Sequence, residues 1–133
     1  MSKELNRITY VEDEPDIRAV AELALTAVGN FTLDVCTCGT EAVEKAPAFG
    51  PELILLDVMM PGLDGMETFK ELQKIPETAG VPVIFMTAKA QKHEVQGYKD
   101  MGAIDVIPKP FDPITLSQQI IAVWDRYNAE KAA

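Results

Sequence analysis

The sequence contains no long apolar run and no hydrophobic leader. Its N-terminal segment, MSKELNR, is polar and lacks the hydrophobic core of a secretory signal, and no stretch reaches the apolar length of a membrane-spanning helix. We therefore expect a protein that resides in the cytoplasm and does not insert into a membrane.

Basic residues are also few: 12 Lys and Arg stand against 21 Asp and Glu, which gives a net charge of −9 at pH 7. Proteins that bind nucleic acid directly normally present a basic face to its phosphates. The acidic balance therefore argues against direct binding of nucleic acid, and it disfavours anionic membrane surfaces for the same electrostatic reason.

Cysteine and histidine are scarce. Cys36 and Cys38 are separated by one residue, a spacing that fits neither a CxxC redox pair nor a zinc site and that predicts buried or half-buried thiols. The single histidine, His93, stands beside Lys92 and Glu94 in a helical pattern, where we expect a solvated residue and not a ligand or phosphate carrier.

Apolar runs alternate along the chain with helical patterns, which is typical of repeated βαβ units around a parallel sheet. The 133 residues fall within the size range of one domain. We therefore expect one α/β domain over residues 1–133, with its core at about residues 7–127 and no fused second domain. Residues 31–35 alternate between apolar and polar as in an edge strand, whereas Leu53–Leu56 is apolar throughout as in a central strand.

The limits of the elements follow from these patterns and from N-cap chemistry. The predicted strands are Ile8–Val11, 31–35, Leu53–Leu56, Val81–Thr87 and Ile104–Ile107. The predicted helices are Pro15 to Gly29, Thr40–Ala48, Asp64 (the N-cap) to Ile75, Lys92–Met101 and Pro113 to about Asn128. The apolar face of the first helix is predicted to contain Ile17, Val20, Ala21, Ala24 and Val28.

Each of four apolar runs leads into residues with reactive side chains. In a parallel α/β sheet, the carboxyl ends of the strands meet at one edge, and ligands bind in the crevice there. We therefore expect three carboxylates, a hydroxyl and an ammonium group to converge although they are distant in sequence. These residues are Glu12, Asp13, Asp57, Thr87 and Lys109.

Carboxylates gathered in this way repel one another, by about 4 kcal/mol for two charges roughly 4 Å apart at an effective dielectric constant near 20. A cation relieves this repulsion. Oxygen ligands without nearby His or Cys favour a hard ion, and Mg²⁺ commonly binds carboxylates, waters and a phosphate oxygen. Lys109 is then expected to pair with Asp57 in the empty site and with a phosphoryl oxygen in the loaded one.

Four segments of the chain resemble the receiver domain of two-component response regulators. The likeness extends from about Arg7 to Tyr127, and the ordered set of motifs is highly specific, although no single motif would suffice. The segments are VEDEPDIR (Val11 to Arg18), LILLDVMMPGLDG (Leu53 to Gly65), VIFMTA (Val83 to Ala88) and PKPFD (Pro108 to Asp112).

The resemblance implies both a fold and a function. The fold is a doubly wound (βα)5 domain of the CheY-like, flavodoxin-like class, with a parallel sheet in the order 2-1-3-4-5. The function is Mg²⁺-dependent acceptance of a phosphoryl group from a sensor histidine kinase or a histidine phosphotransfer protein. The chain is then a signalling protein and not an enzyme, and it is expected to act on a separate downstream target protein.

The resemblance also implies a role for each residue at the rim. Asp57 corresponds to the phosphoacceptor and to a metal ligand, and Asp13 corresponds to a direct Mg²⁺ ligand. Met59 would contribute only its backbone carbonyl. Glu12 stands where the family more often has Asp, and its longer arm is expected to reach the metal mainly through water.

Thr87 and Lys109 are expected, from the same resemblance, to bind phosphoryl oxygens, with Pro110 in the cis form that directs Lys109 into the site. Typical receivers couple the threonine to an aromatic residue in strand five. This chain has Val106 at that position, so we expect a departure from the aromatic relay, with helix four and its preceding loop carrying more of the change.

Two alternatives stay open. A Mg²⁺-dependent phosphohydrolase would use the same aspartyl-phosphate, but Asp57 is followed by Val58 and Met59 instead of the usual Asp-x-Asp general acid. A scaffold receiver that does not switch would only bind partners, and the retention of every reactive residue disfavours it. An FMN binder shares the architecture, but no Ser/Thr-Gly-rich phosphate loop follows strand one.

Overall fold

The structure is a computed structural model and describes residues 4–132. A parallel sheet of five strands lies at its centre in the order β2-β1-β3-β4-β5, which confirms the predicted topology. Every predicted strand is present, with its ends displaced by no more than two residues. The strands are β1 (Arg7–Val11), β2 (Thr32–Cys36), β3 (Leu53–Asp57), β4 (Val83–Thr87) and β5 (Asp105–Pro108).

Helices cover both faces of the sheet. Asp64 caps α3 in a reciprocal capping box with Glu67, as its position predicts. None of the helices within residues 4–132 combines the length and apolar composition needed to cross a membrane. The helices are α1 (Pro15–Leu23, continued by a π-helical turn at Ala24–Val28), α2 (Gly39–Phe49), α3 (Gly65–Gln73), α4 (Lys92–Met101) and α5 (Leu116–Ala132), with one further helical turn at Pro76–Ala79.

Two apolar layers hold the helices to the sheet. All residues of β3 and β4 are buried, as their uninterrupted apolar sequences predict for central strands. Successive side chains of a strand point to opposite faces, so Leu55 packs beneath α1 and α5 whereas Leu56 packs beneath α2, α3 and α4. The predicted helix anchor, Trp124, is buried in the first of these layers.

The predicted apolar face of α1 is partly wrong. Ala21 and Ala24 are buried, but Val20 is 46% exposed and Val28 is 59% exposed, and Leu25 lies inward instead. Val20 lies about 100° around the helix from Ala21 and so falls at the margin of the buried stripe. From Ala24 to Val28 the chain forms a π-helical turn, which contains more residues per turn than an α-helix. The inward-facing positions are therefore displaced along the sequence, and Val28 faces outward.

The start of the last helix is also corrected. Residues 113–115 form a turn, and α5 begins at Leu116 instead of Pro113. Asp112 holds this turn because its carboxylate accepts a hydrogen bond from the Ile114 N–H and its carbonyl accepts one from the Leu116 N–H. The side chain of Asp112 thus competes with a regular helical start, as Asp side chains commonly do.

The edge strand β2 contains a buried carboxylate. The predicted position of β2 at the edge of the sheet is confirmed. Asp34 of this strand is buried, whereas a polar residue of an edge strand usually faces solvent. It accepts hydrogen bonds from the Thr9 hydroxyl and the Cys36 thiol and forms an ion pair with Lys45 of α2 at 3.2 Å. Cys36 is buried and Cys38 half-buried, as predicted.

A glycine brings α3 against the end of the central strand. A Cβ added to Gly65 would lie 2.3 Å from the carbonyl oxygen of Asp57 and 2.6 Å from the Cα of Val58. Both neighbours are backbone atoms, which cannot rotate away as the tip of a side chain can. The N–H of Gly65 also donates to the Val58 carbonyl at 3.0 Å. The loop after Asp57 is therefore held tightly between β3 and α3.

We expect Gly65→Ala to lower the free energy of unfolding by about 1–3 kcal/mol, because the added methyl group overpacks a backbone contact. Gly97→Ala is the matched control, since Gly97 is exposed within α4 and nothing lies within 4 Å of an added Cβ. That substitution should stabilise the helix by up to about 1 kcal/mol. Urea unfolding measures both, and equal effects of the two would contradict the close contact at Gly65.

Candidate functional site

The carboxyl ends of four strands meet at one edge of the sheet. The register pairs Val11 with Leu56, Asp57 with Met86, and Thr87 with Pro108, so these strand ends lie nearly level. Side chains that follow the strands therefore emerge at the same rim, and the predicted convergence is confirmed as a matter of geometry.

Lys109 connects two of the predicted carboxylates. Its Nζ lies 2.6 Å from Oε1 of Glu12 and 3.0 Å from Oδ1 of Asp57. Its backbone N–H donates to the Thr87 carbonyl at 2.9 Å, which fixes the chain beside β4. The peptide bond between Lys109 and Pro110 is cis, as expected. The pairing of Lys109 with Asp57 is thus present, and the additional contact with Glu12 was not anticipated.

Asp57 lies in an environment that disfavours its charged form. Its side chain is buried, with the residue only 3% exposed. Burial is the main cause that raises the pKa of Asp57 to about 7, and the negative charge of Glu12 adds to it, while the contact with Lys109 opposes the shift. Burial alone would lower the pKa of Lys109, but its contacts with Glu12 and Asp57 raise it. The ammonium group therefore stays charged and holds the two acids together.

Three carboxylates form what we call the acidic site: Glu12, Asp13 and Asp57. One oxygen from each lies within 4.8 Å of the others. Glu12 and Asp57 are buried and Asp13 is half-buried, so the cluster is open to solvent on the side of Asp13. A set of oxygen donors without His or Cys suits a hard divalent cation and fits Mg²⁺.

Thr87 ends β4 at the same rim and is buried. Its hydroxyl oxygen accepts a hydrogen bond from the Lys89 N–H at 3.0 Å, which leaves the hydroxyl hydrogen available to another acceptor. The side chain of Met59 is 59% exposed. Val106, at the position of the expected switch residue, is half-buried and packs against the layer beneath α2, α3 and α4.

Two residues at this edge were missed by the sequence reasoning. Arg18 of α1 donates from Nη1 to the carbonyl of Glu12 at 3.0 Å and to that of Asp13 at 3.4 Å, so it anchors the loop that carries both acids. Its place within the VEDEPDIR segment was the available signal. Tyr10 lies buried two residues before Glu12, and its apolar neighbours in β1 gave no reason to single it out.

Comparison with known proteins identifies the family. The model of the response regulator receiver domain matches residues 8–121. The chain is 37% identical over 120 residues to the transcriptional regulatory protein CseB of Streptomyces coelicolor, covering 90% of this chain and 50% of that protein. It is 38% identical over 121 residues to the transcriptional regulatory protein ResD of Bacillus subtilis, covering 90% and 48% respectively. The chain thus spans about half the length of these relatives.

Solved structures agree with this assignment. The chemotaxis protein CheY4 of Vibrio cholerae superposes with a TM-score of 0.81 at 27% identity, covering 90% of this chain and 99% of that one. The receiver domain of the sensor histidine kinase PA1611 from Pseudomonas aeruginosa, solved with a magnesium ion in its active-site cleft, gives a TM-score of 0.78 at 29% identity and covers 92% and 99%. By its sequence and by its fold, the chain belongs to the response regulator receiver domain family.

Proposed function

We propose that Asp57 accepts a phosphoryl group in a Mg²⁺-dependent reaction and that the phosphorylated state switches protein–protein interactions. The observation that carries the proposal is the position of Asp57. It ends the central strand, contacts Lys109 at 3.0 Å, and lies within 4.8 Å of carboxylate oxygens from Glu12 and Asp13. The donor would be the phosphohistidine of a sensor histidine kinase or of a histidine phosphotransfer protein.

Asp57 would act as the nucleophile. One carboxylate oxygen attacks phosphorus, a P–O bond forms, and the P–N bond of the phosphohistidine breaks with its electron pair returning to the imidazole nitrogen. Lys109 exchanges its contact with the carboxylates for one with a phosphoryl oxygen, and the Thr87 hydroxyl donates to another. Thr87 ends β4, the strand beside Asp57, and Lys109 follows β5 but already contacts Asp57 at 3.0 Å, so little movement is needed.

The acidic site would hold the Mg²⁺ ion. Asp13 and Asp57 would bind it directly, Glu12 mainly through water, and Met59 through its backbone carbonyl. When bound, the ion neutralises the carboxylates and the phosphoryl oxygens that meet here. The magnesium ion in the cleft of the PA1611 receiver domain supports this part of the proposal.

The switch would follow from charge. A phosphoryl group adds about −1.5 to −2 charge and three acceptor oxygens, which draw Thr87 and Lys109 toward Asp57. Val106 has no ring to move between exposed and buried positions, so α4 and the loop before it would carry more of the change. A shift from 1:99 to 99:1 would require about 5.5 kcal/mol of differential stabilisation.

We further propose that residues 1–133 act as one receiver domain in the cytoplasm and that the output passes to a separate target protein. The proposed role is that of a signalling protein which catalyses only its own phosphorylation and dephosphorylation. A phosphohydrolase is disfavoured because Met59, two residues after Asp57, supplies no general acid. A scaffold that only binds partners would not require the contact of Lys109 with Asp57.

The proposal predicts that acetyl phosphate with Mg²⁺ adds one phosphoryl group to the wild-type chain and none to Asp57→Asn, because the amide oxygen is a poor nucleophile. Intact mass spectrometry measures the modification. Asp64→Asn is the matched control, since it makes the same chemical change nearby while Asn retains the N-cap of α3. Labelling of Asp57→Asn to the wild-type extent would contradict the assignment of the acceptor.

Metal binding predicts a second result. In the wild-type chain, Mg²⁺ at a hundredfold excess over its dissociation constant should stabilise the fold by about 2.7 kcal/mol, and Asp13→Ala should lose this gain. Glu44→Ala removes an exposed acid of α2 that lies outside the acidic site and should keep it. Thermal unfolding with Mg²⁺ or with EDTA makes the measurement, and equal stabilisation of the wild type and Asp13→Ala would contradict the ligand set.

The raised pKa of Asp57 predicts a pH dependence of stability in EDTA. Because the folded chain keeps this proton up to about pH 7 whereas a free Asp loses it near 3.8, the wild type should lose stability as the pH rises between these values. Asp57→Asn should remove that loss and be more stable than wild type by about 3–4 kcal/mol at pH 8, with little difference at pH 4.

Urea unfolding at several pH values tests this. Asp125 is exposed on α5, and Asp125→Asn should follow the wild-type curve. An Asp57→Asn variant that loses stability between pH 4 and pH 8 as steeply as the wild type would contradict the environment assigned to Asp57.

A further inference from the structure

The hydroxyl group of Tyr10 makes no hydrogen bond of normal geometry in the resting structure. Within residues 4–132, its hydroxyl is the one fully buried side-chain oxygen or nitrogen that has no hydrogen-bond partner. The side chain is 0% exposed, and its ring packs in the apolar layer beneath α1 and α5. An unpaired buried donor is unfavourable and rare in native proteins. A phenylalanine would fill the same space without leaving such a donor.

The hydroxyl lies beside the acidic site. Tyr10 and Glu12 are two residues apart along an extended chain, so their side chains leave the same face of the sheet. Burial raises the pKa of Tyr10, the charges of Glu12 and Asp57 raise it further, and a contact between the Tyr10 hydroxyl and the Glu12 carboxylate adds to the shift. The phenol is therefore a neutral donor that is close enough to Glu12 to be affected by its charge, although the geometry of a hydrogen bond is not met.

Glu12 is held by other partners in the resting state. Its Oε1 accepts from Nζ of Lys109 at 2.6 Å, and its Oε2 accepts from the N–H of Glu14 at 3.2 Å. The same Nζ contacts Asp57 at 3.0 Å. When Lys109 turns toward a phosphoryl group on Asp57, Glu12 loses the stronger of its two contacts within the protein while it remains buried. A further donor, in addition to a water of the proposed Mg²⁺ site, then stabilises the buried carboxylate.

We propose that the Tyr10 hydroxyl is a positioning group that takes over the Glu12 carboxylate when Lys109 moves to the phosphoryl group. This inference rests on the proposed function, because it requires Lys109 to change partners. Tyr10 acts through Glu12 and not on the reacting atoms. Since the hydroxyl reaches full hydrogen-bond geometry with Glu12 only in the phosphorylated state, it favours that state over the resting one.

The test compares wild type with Tyr10→Phe, using beryllofluoride and Mg²⁺ as the phosphoryl mimic. We expect Tyr10→Phe to bind beryllofluoride about tenfold more weakly, the effect of one hydrogen bond to a charged group. Its stability without beryllofluoride should equal or exceed that of the wild type, because the resting state loses only an unpaired hydroxyl. A purely structural role for Tyr10 would instead reduce stability and leave the affinity unchanged, which would overturn the proposal.

Tyr98→Phe is the matched control. It removes the same atom from a largely buried tyrosine on the opposite face of the sheet, and it should leave the affinity for beryllofluoride unchanged. In a Glu12→Ala background, Tyr10→Phe should have no further effect on affinity. A tenfold loss that persists in that background would show that the hydroxyl does not act through Glu12.

A spectroscopic measurement on the unmodified sequence does not depend on the folding of any variant. With tyrosine labelled with carbon-13 at Cζ, the Tyr10 signal should shift when beryllofluoride and Mg²⁺ are added, because the hydroxyl gains a partner. If the wild type binds beryllofluoride and the signal stays in place, this inference fails while the proposed function stands. If the wild type binds no beryllofluoride, the proposed function fails, and the role of Tyr10 fails with it.

Discussion

The structure depends on one electrostatic arrangement: a lysine ammonium group between two buried carboxylates. Glu12 and Asp57 would repel each other strongly at the end of the sheet, because burial removes the water that would otherwise screen them. Lys109 lies 2.6 Å from one and 3.0 Å from the other, and it makes their burial tolerable. Lys109 does not offset the full cost of burying Asp57 beside Glu12, and the pKa of Asp57 therefore stays raised. The resting site is therefore stable enough to persist and is favourable for the arrival of further positive charge.

The sheet gives this arrangement its precision. The central strands β3 and β4 are buried on both faces, so the carboxyl end of β3 has little freedom to move. Gly65 brings the first turn of α3 against the backbone of Asp57, and Arg18 ties α1 to the carbonyl groups beside the acids. Rigid elements thus position the reactive groups. Met59, by contrast, lies in the loop after Asp57, and its side chain is exposed. The proposed phosphoryl group would therefore meet a site that is already formed.

The success of sequence reasoning varied with the range of the interactions involved. The strands and the capping of α3 were predicted correctly because apolar runs and the N-cap preference of Asp64 act locally. The exposure of Val20 was missed because this residue lies at the margin of the buried stripe of α1. The exposure of Val28 was missed because the π-helical turn that continues α1 changes the helical period. The burial of Asp34 was missed too, because its partner Lys45 lies on α2. The sequence of β2 alone does not indicate that this ion pair forms.

The sequence by itself determined the kinds of groups at the site and their order along the chain, because each one follows an apolar run that forms a strand of a parallel sheet. It also determined the family, through four motifs spread over most of the chain. Only the tertiary structure decided that Lys109 contacts Glu12 as well as Asp57, and that the hydroxyl of Tyr10 lies buried without a partner. The Lys109 contacts and the environment of the Tyr10 hydroxyl depend on distances between side chains that the sheet brings together. Such distances cannot be predicted from local sequence.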